Sequence, residues 1–68
     1  MTNRLNRGVI GQRLRAAREA SGLRQEDVAK AAGVSIAFVS DVERGNRGIS
    51  ADRREAFARA VGLPIADL

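Results

Sequence analysis

The spacing of glycine constrains this chain most. Gly22, Gly33, the pair Gly45 and Gly48, and Gly62 cut its 68 residues into short segments. Glycine enters the left-handed backbone region without a Cβ penalty, so it ends helices and opens tight turns. Between these breaks β-branched residues are few and never alternate over a strand's length. The segments therefore read as helices. The expected fold is all-α, a compact domain of four helices with the start of a fifth. No repeat, low-complexity tract or linker interrupts it, so residues 1–68 read as one domain, with residues 1–6 a flexible arm.

Helix 1 is expected over about residues 7–20. Ile10, Leu14 and Ala17 share a stripe that Leu23 continues, while Arg13, Arg15 and Glu19 face away. Helix 2 is expected over residues 25–32, with Glu26 and Asp27 in the first turn, where acids suit the helix dipole. Val28, Ala29 and Ala32 form its inner face. Helix 3 is expected over residues 36–44, with Ser35 as N-cap and Val39 and Val42 inward. Ser50 caps helix 4, which runs to residue 61 with Ala51, Phe57, Ala58 and Val61 inward. Pro64 is placed to open a short fifth helix.

Composition limits what so small a domain can do. A chain of this length buries only about 60% of the surface its unfolded form exposes. It has no cysteine and no histidine, which removes disulfides, thiolate metal sites, the usual general base and the commonest metal ligand. No paired carboxylates, metal cluster or nucleophile–base set can be assembled, so the chain does not read as an enzyme, and no catalytic residue, metal or cofactor is expected. No apolar run approaches the roughly 18 residues of a membrane span, and residues 1–10 lack the apolar region of a signal peptide. A soluble, cytoplasmic domain is the expectation.

Charge adds a direction. The net charge is +4, and eleven of the twelve basic residues are arginine, whose flat fork suits phosphates and base edges. Residues 1–24 carry six Arg and one Glu, residues 25–43 one Lys and four acids, and residues 44–68 five Arg and three acids. A basic chain of this size points towards nucleic acid, although its middle segment is acidic.

Helices 2 and 3 fit a helix-turn-helix, and the test is spacing. With Gln25 as the first position, small Ala29 is fifth, where the helices cross closely. Gly33 is ninth, where the turn needs positive φ. Val28, Ala32, Val34, Val39 and Val42 are fourth, eighth, tenth, fifteenth and eighteenth, the apolar positions of the unit.

The strings IGQRLRAAREASGLRQEDVAKAAGVS, VSDVERGNRGIS and AFARAVGL resemble the Cro/repressor-type (Xre family) helix-turn-helix domains of phage repressors, restriction-modification controllers and antitoxins. The resemblance covers about residues 9–68. It implies a lambda-repressor-like fold that inserts helix 3 into the major groove of double-stranded DNA, usually as a homodimer. It also implies roles for single residues. Gln25 meets a phosphate at the start of helix 2. Ser35, Ile36, Ala37, Ser40 and Asp41 lie on the base-reading face, and Arg44, Asn46 and Arg47 grip the backbone beyond it. Arg18 and Glu43 form a structural ion pair between helix 1 and the end of helix 3. Leu63, Ile65 and Leu68 offer a dimer contact or pack onto helix 1.

The departures from the family pattern matter as well. Arg24 stands where Ser or Thr usually caps helix 2, which loses a cap and sets a cation beside the DNA backbone. Ile36 and Ala37 cannot donate hydrogen bonds but can pack on a thymine methyl, while Asp41 can accept from cytosine N4 or repel a phosphate. Phe38 packs under loop 45–49 or lies against a sugar or thymine methyl. Ile49 replaces a common proline, and Arg54 a common leucine. Shape readout and arginine contacts are thus expected to carry much of the specificity. The arm, with Arg4 and Arg7, is placed along the backbone or left free.

The expected function is sequence-specific DNA binding by a transcriptional regulator, a nucleoid-associated repressor that occludes promoter DNA as a dimer on half-sites ~34 Å apart. Two rivals share the fold. One is an antitoxin whose main partner is a toxin protein. The other is a protein-interaction module, favoured by the acidic middle segment and the apolar run Ile36-Ala37-Phe38.

Overall fold

Two serines and three glycines set most of the helix boundaries. The Phe38 amide donates to Ser35 Oγ at 3.0 Å and the Arg53 amide to Ser50 Oγ at 3.3 Å, each satisfying an N–H that a helix start leaves open. Gly22, Gly33 and Gly62 follow the helices they end with φ of 72°, 72° and 77°, and Gly45, one residue past the Arg44 cap, has φ 76°. The computed structural model describes residues 4–68, with side chains from residue 7 onward. It holds α1 (Arg4–Ala20), α2 (Gln25–Ala32), α3 (Ile36–Glu43), α4 (Ala51–Val61) and a 3₁₀ turn (Ile65–Asp67).

Three boundaries differ from expectation. Helix α1 starts at Arg4 rather than near residue 7, because its first turns gain tertiary support. Gly8 lies so close to the α3–α4 loop that a Cβ on Gly45 would sit 3.1 Å from its Cα, and the Arg7 side chain lies over Gly48. Arg7 therefore belongs to the helix and not to an arm, and only residues 1–3 of the expected arm fall outside the described residues. Helix α3 ends at Glu43, with Arg44 as its cap. The fifth helix is a single 3₁₀ turn.

The core lies where α1, α2, α3 and α4 converge. Leu14, Val28, Val39 and Phe57 are fully buried, joined by Ile10, Ala29, Val42, Ile49, Ala58, Val61 and Leu68. Burying a side chain such as Phe57 contributes about 1.5–3 kcal/mol. Ala51, expected inward, is exposed, since the first residue of α4 projects past the edge of the core.

Candidate nucleic-acid interface

Helix α3 owes its position to the turn before it. Gly33 caps α2 at φ 72° and ψ 35°, and the Val34 amide donates to the Ala29 carbonyl at 2.9 Å. A residue with a Cβ pays about 1–2 kcal/mol for that backbone region, so glycine is the natural choice. Val28 and Ala29 of α2 then close against Val39 and Val42 of α3.

The inner end of α3 is pinned by charge. Glu43 is 9% exposed and each of its carboxylate oxygens is occupied. Arg18 Nε donates to Oε2 at 2.6 Å, Arg18 Nη2 donates to Oε1 at 3.1 Å, and Arg18 Nη1 reaches the Leu23 carbonyl at 2.9 Å. The bonds to Glu43 hold the Arg18 pKa above its ordinary value against the opposing effect of burial. Gln25 Nε2 donates to Glu43 Oε1 at 3.1 Å. The Gln25 side chain thus points into the fold rather than to a phosphate, because a nearly buried carboxylate needs every donor it can find. Backbone packing completes the joint: a Cβ on Gly11 would lie 2.3 Å from the Val42 carbonyl oxygen and 2.8 Å from that of Glu43.

The outer face of α3 is open. Ser35, Ile36 and Ala37 are exposed, with Ile36 at 51%, and Ser40 and Asp41 are half-buried. Arg44 folds back so that Nη1 donates to Ser40 Oγ and Nη2 to Asp41 Oδ1. Asp41 therefore carries its own counter-charge, which answers the concern that it would repel phosphates. Arg24 lacks a side-chain cap oxygen, but Asp27 supplies the reciprocal half: its Oδ2 accepts from the Arg24 amide at 2.8 Å, which lowers the Asp27 pKa. The Arg24 side chain is exposed and paired with Glu26 at 2.8 Å.

Beyond α3, Asn46 and Arg47 are exposed. Phe38 is half-buried and stacked on Phe57, with ring centroids 6.0 Å apart and planes 14° from parallel. The Arg47 guanidinium covers it. Phe38 is thus a shelf beside the loop, held by the core on one side and capped by a cation.

The helix-turn-helix domain family matches residues 9–68. The chain belongs to that family. It is 36% identical over 69 residues to the control protein C.BamHI of Bacillus amyloliquefaciens, an alignment covering all of this chain and 84% of that one. It is 39% identical over 57 residues to the transcriptional regulator DdrOP3 of Deinococcus deserti, covering 84% of this chain and 44% of the regulator. The chain therefore spans less than half the length of that regulator. The restriction-modification controller C.AhdI of Aeromonas hydrophila superposes with a TM-score of 0.87 at 35% identity, covering 93% of this chain and 96% of that one.

The three apolar residues offered as a dimer contact separate within this helix-turn-helix domain. Leu68 is buried, Leu63 is half-buried against the core, and Ile65 is 47% exposed. The 3₁₀ turn that carries Ile65 rests mainly on α4 rather than α1. Two residues escaped the sequence reading. Gly11 shares a helical face with Leu14 and Arg18, a spacing that could have marked it. Arg53 is exposed one turn into α4 with its guanidinium over Phe38, a contact no spacing within one helix reveals. Arg54 is half-buried, and among the described residues its Nε has no hydrogen-bond partner. Among the described residues, no helix is long and apolar enough to cross a membrane.

Proposed function

We propose that this helix-turn-helix domain reads double-stranded DNA as part of a transcriptional repressor, with α3 in the major groove and no catalytic role. The observation that carries the reading is the division of α3: its inner end is locked by Arg18 and Glu43, while Ser35, Ile36 and Ala37 stand open on a helix held rigidly from behind. The similarity to C.BamHI and C.AhdI, a control and a controller protein, supports it.

In this reading Ile36 and Ala37 pack on thymine methyls, and Ser35, Ser40 and Asp41 meet base edges. Arg24, Arg44, Asn46 and Arg47 take phosphates, and Gln25 acts mainly as a buttress. Two copies bind half-sites ~34 Å apart, with exposed Ile65 in the contact between them, and repression follows from occlusion of the promoter.

Anisotropy of labelled random-sequence and upstream-region duplexes, titrated with the chain at two salt concentrations, tests this. Tight binding to one duplex with a steep loss at higher salt is expected. A folded chain that binds no duplex at low salt overturns the reading. The exposed apolar pair Ile36 and Ala37 favours a protein-interaction module as the second reading, and that result would leave it standing.

A further inference from the structure

The α3–α4 junction gathers two cations onto one aromatic ring. The Arg47 guanidinium carbon lies 4.3 Å from the Phe38 ring centroid, and that of Arg53 lies 4.9 Å from it. The ring is itself stacked on Phe57, which is fully buried, so it is fixed to the core. Its π-face attracts each guanidinium, while the two guanidiniums repel each other.

Among the described residues, acids pair within 4.0 Å with Arg15, Arg18, Arg24, Arg44 and Arg59, and with neither Arg47 nor Arg53. Asp52, beside Arg53 in the chain, is exposed and forms no ion pair with it within 4.0 Å. Two stacked forks with free N–H groups and unbalanced charge match an oxyanion that takes hydrogen bonds from both. Past the C-terminal end of a groove-inserted helix, the surface that such a pair meets is the groove wall, which is phosphate.

We propose that Arg53 is a DNA-backbone contact and that Phe38 is its positioning residue, the ring holding Arg47 and Arg53 together as a clamp on the phosphodiester backbone. The proposal rests on the DNA-binding reading above. Stacking restricts both side chains before DNA arrives, so less freedom is lost on binding.

The test is the slope of log affinity against log salt for the full chain on labelled duplexes, with a thermal melt of each variant. For each copy bound, Arg53→Gln lowers the slope by about 0.9 and weakens binding about eightfold at 0.1 M salt, alike for every sequence, the value of one phosphate contact. Phe38→Leu, which keeps apolar bulk but loses the π-face, lowers the slope at least as much, and Phe38→Tyr restores it. Arg59→Gln removes the same charge further along α4, where Arg59 pairs with Glu55, and leaves the slope unchanged. If Phe38→Leu does not fold, the exposed Arg53 still decides the matter. An unchanged slope for Arg53→Gln, or equal losses for Arg53→Gln and Arg59→Gln, overturns the clamp while the DNA-binding reading stands. No binding by the unaltered chain overturns both.

Discussion

Arginines at two places around α3 behave in opposite ways. At the crossing of α1 and α3, the Arg18 side chain is 12% exposed and all its bonds go inward, to Glu43 and the Leu23 carbonyl. At the α3–α4 junction, Arg47 and Arg53 are exposed and rest on a ring, and among the described residues no acid pairs with either within 4.0 Å. Burial explains the difference. A charge withdrawn from water must be matched by charge and hydrogen bonds, whereas an exposed one is hydrated and can be left open. The matched arginine fixes where α3 lies, and the open ones are available to a partner. Composition alone counts both groups as the same positive charge.

The comparison breaks most decisively at Arg18. Arg18→Ala strands the Glu43 carboxylate, with an expected loss of about 3–5 kcal/mol, enough to unfold much of a domain this small. Arg18→Met combined with Glu43→Leu removes both charges and is expected to recover most of that loss in urea unfolding. An unchanged melting curve for Arg18→Ala would mean that the inner pair is no more structural than a surface one. Gly11→Ala comes next. Its Cβ would press on the Val42 and Glu43 carbonyls, both backbone, so α1 and α3 must part. The expected cost is about 1–3 kcal/mol, read as a lower urea midpoint, and a midpoint equal to that of the unaltered chain would refute the close crossing.

The same division explains what could be foreseen from the sequence. The helix caps Ser35 and Ser50 and the turn at Gly33 are visible because each depends on residue type at a fixed spacing, whereas the pairing of Arg18 with Glu43 is foreseen only through the family resemblance. Contacts between distant segments are not encoded that way. The family resemblance makes Gln25 a phosphate ligand, and only the arrival of Glu43 from α3 turns it inward. Asp41 reads as an acceptor for cytosine N4 or as a charge that repels phosphate, and its local i,i+3 pairing with Arg44 is a contact the sequence reading left out. Leu68 reads equally as a dimer contact or as packing onto helix 1, and only the fold places it in the core. Arg53 is invisible as a partner of Phe38 because the loop between them sets the approach.

Ile36 sharpens the comparison from the open side. It is exposed and supports no core contact, so Ile36→Ala should move stability by less than about 0.5 kcal/mol. Its effect belongs to sequence choice: discrimination at one base pair should fall by about 1 kcal/mol, with the salt slope unchanged. Competition between duplexes differing at single positions measures this. A change in slope with no change in preference would reassign Ile36 from base reading to general contact.

Asp27 gives the smallest effect and tests whether an exposed charge can matter locally without the burial that Arg18 has. The Arg24 amide donates to its carboxylate, and this bond, ahead of the opposing cost of burial, holds the Asp27 pKa below the ordinary 3.8. A depressed carboxyl pKa means that the folded state prefers the ionised form. The stabilisation is therefore complete above the ordinary value and is lost as pH falls from there through the lower folded value. Asp27→Asn should lower the melting temperature slightly at neutral pH and flatten the acid limb, so that the two curves of melting temperature against pH converge at low pH. Added salt should leave most of that difference in place if the amide bond is its source, and should erase it if the exposed Arg24 side chain is. Curves that run parallel through the acid range would show that Asp27 caps nothing. The start of α2 would then depend on its packing against α3 and α4.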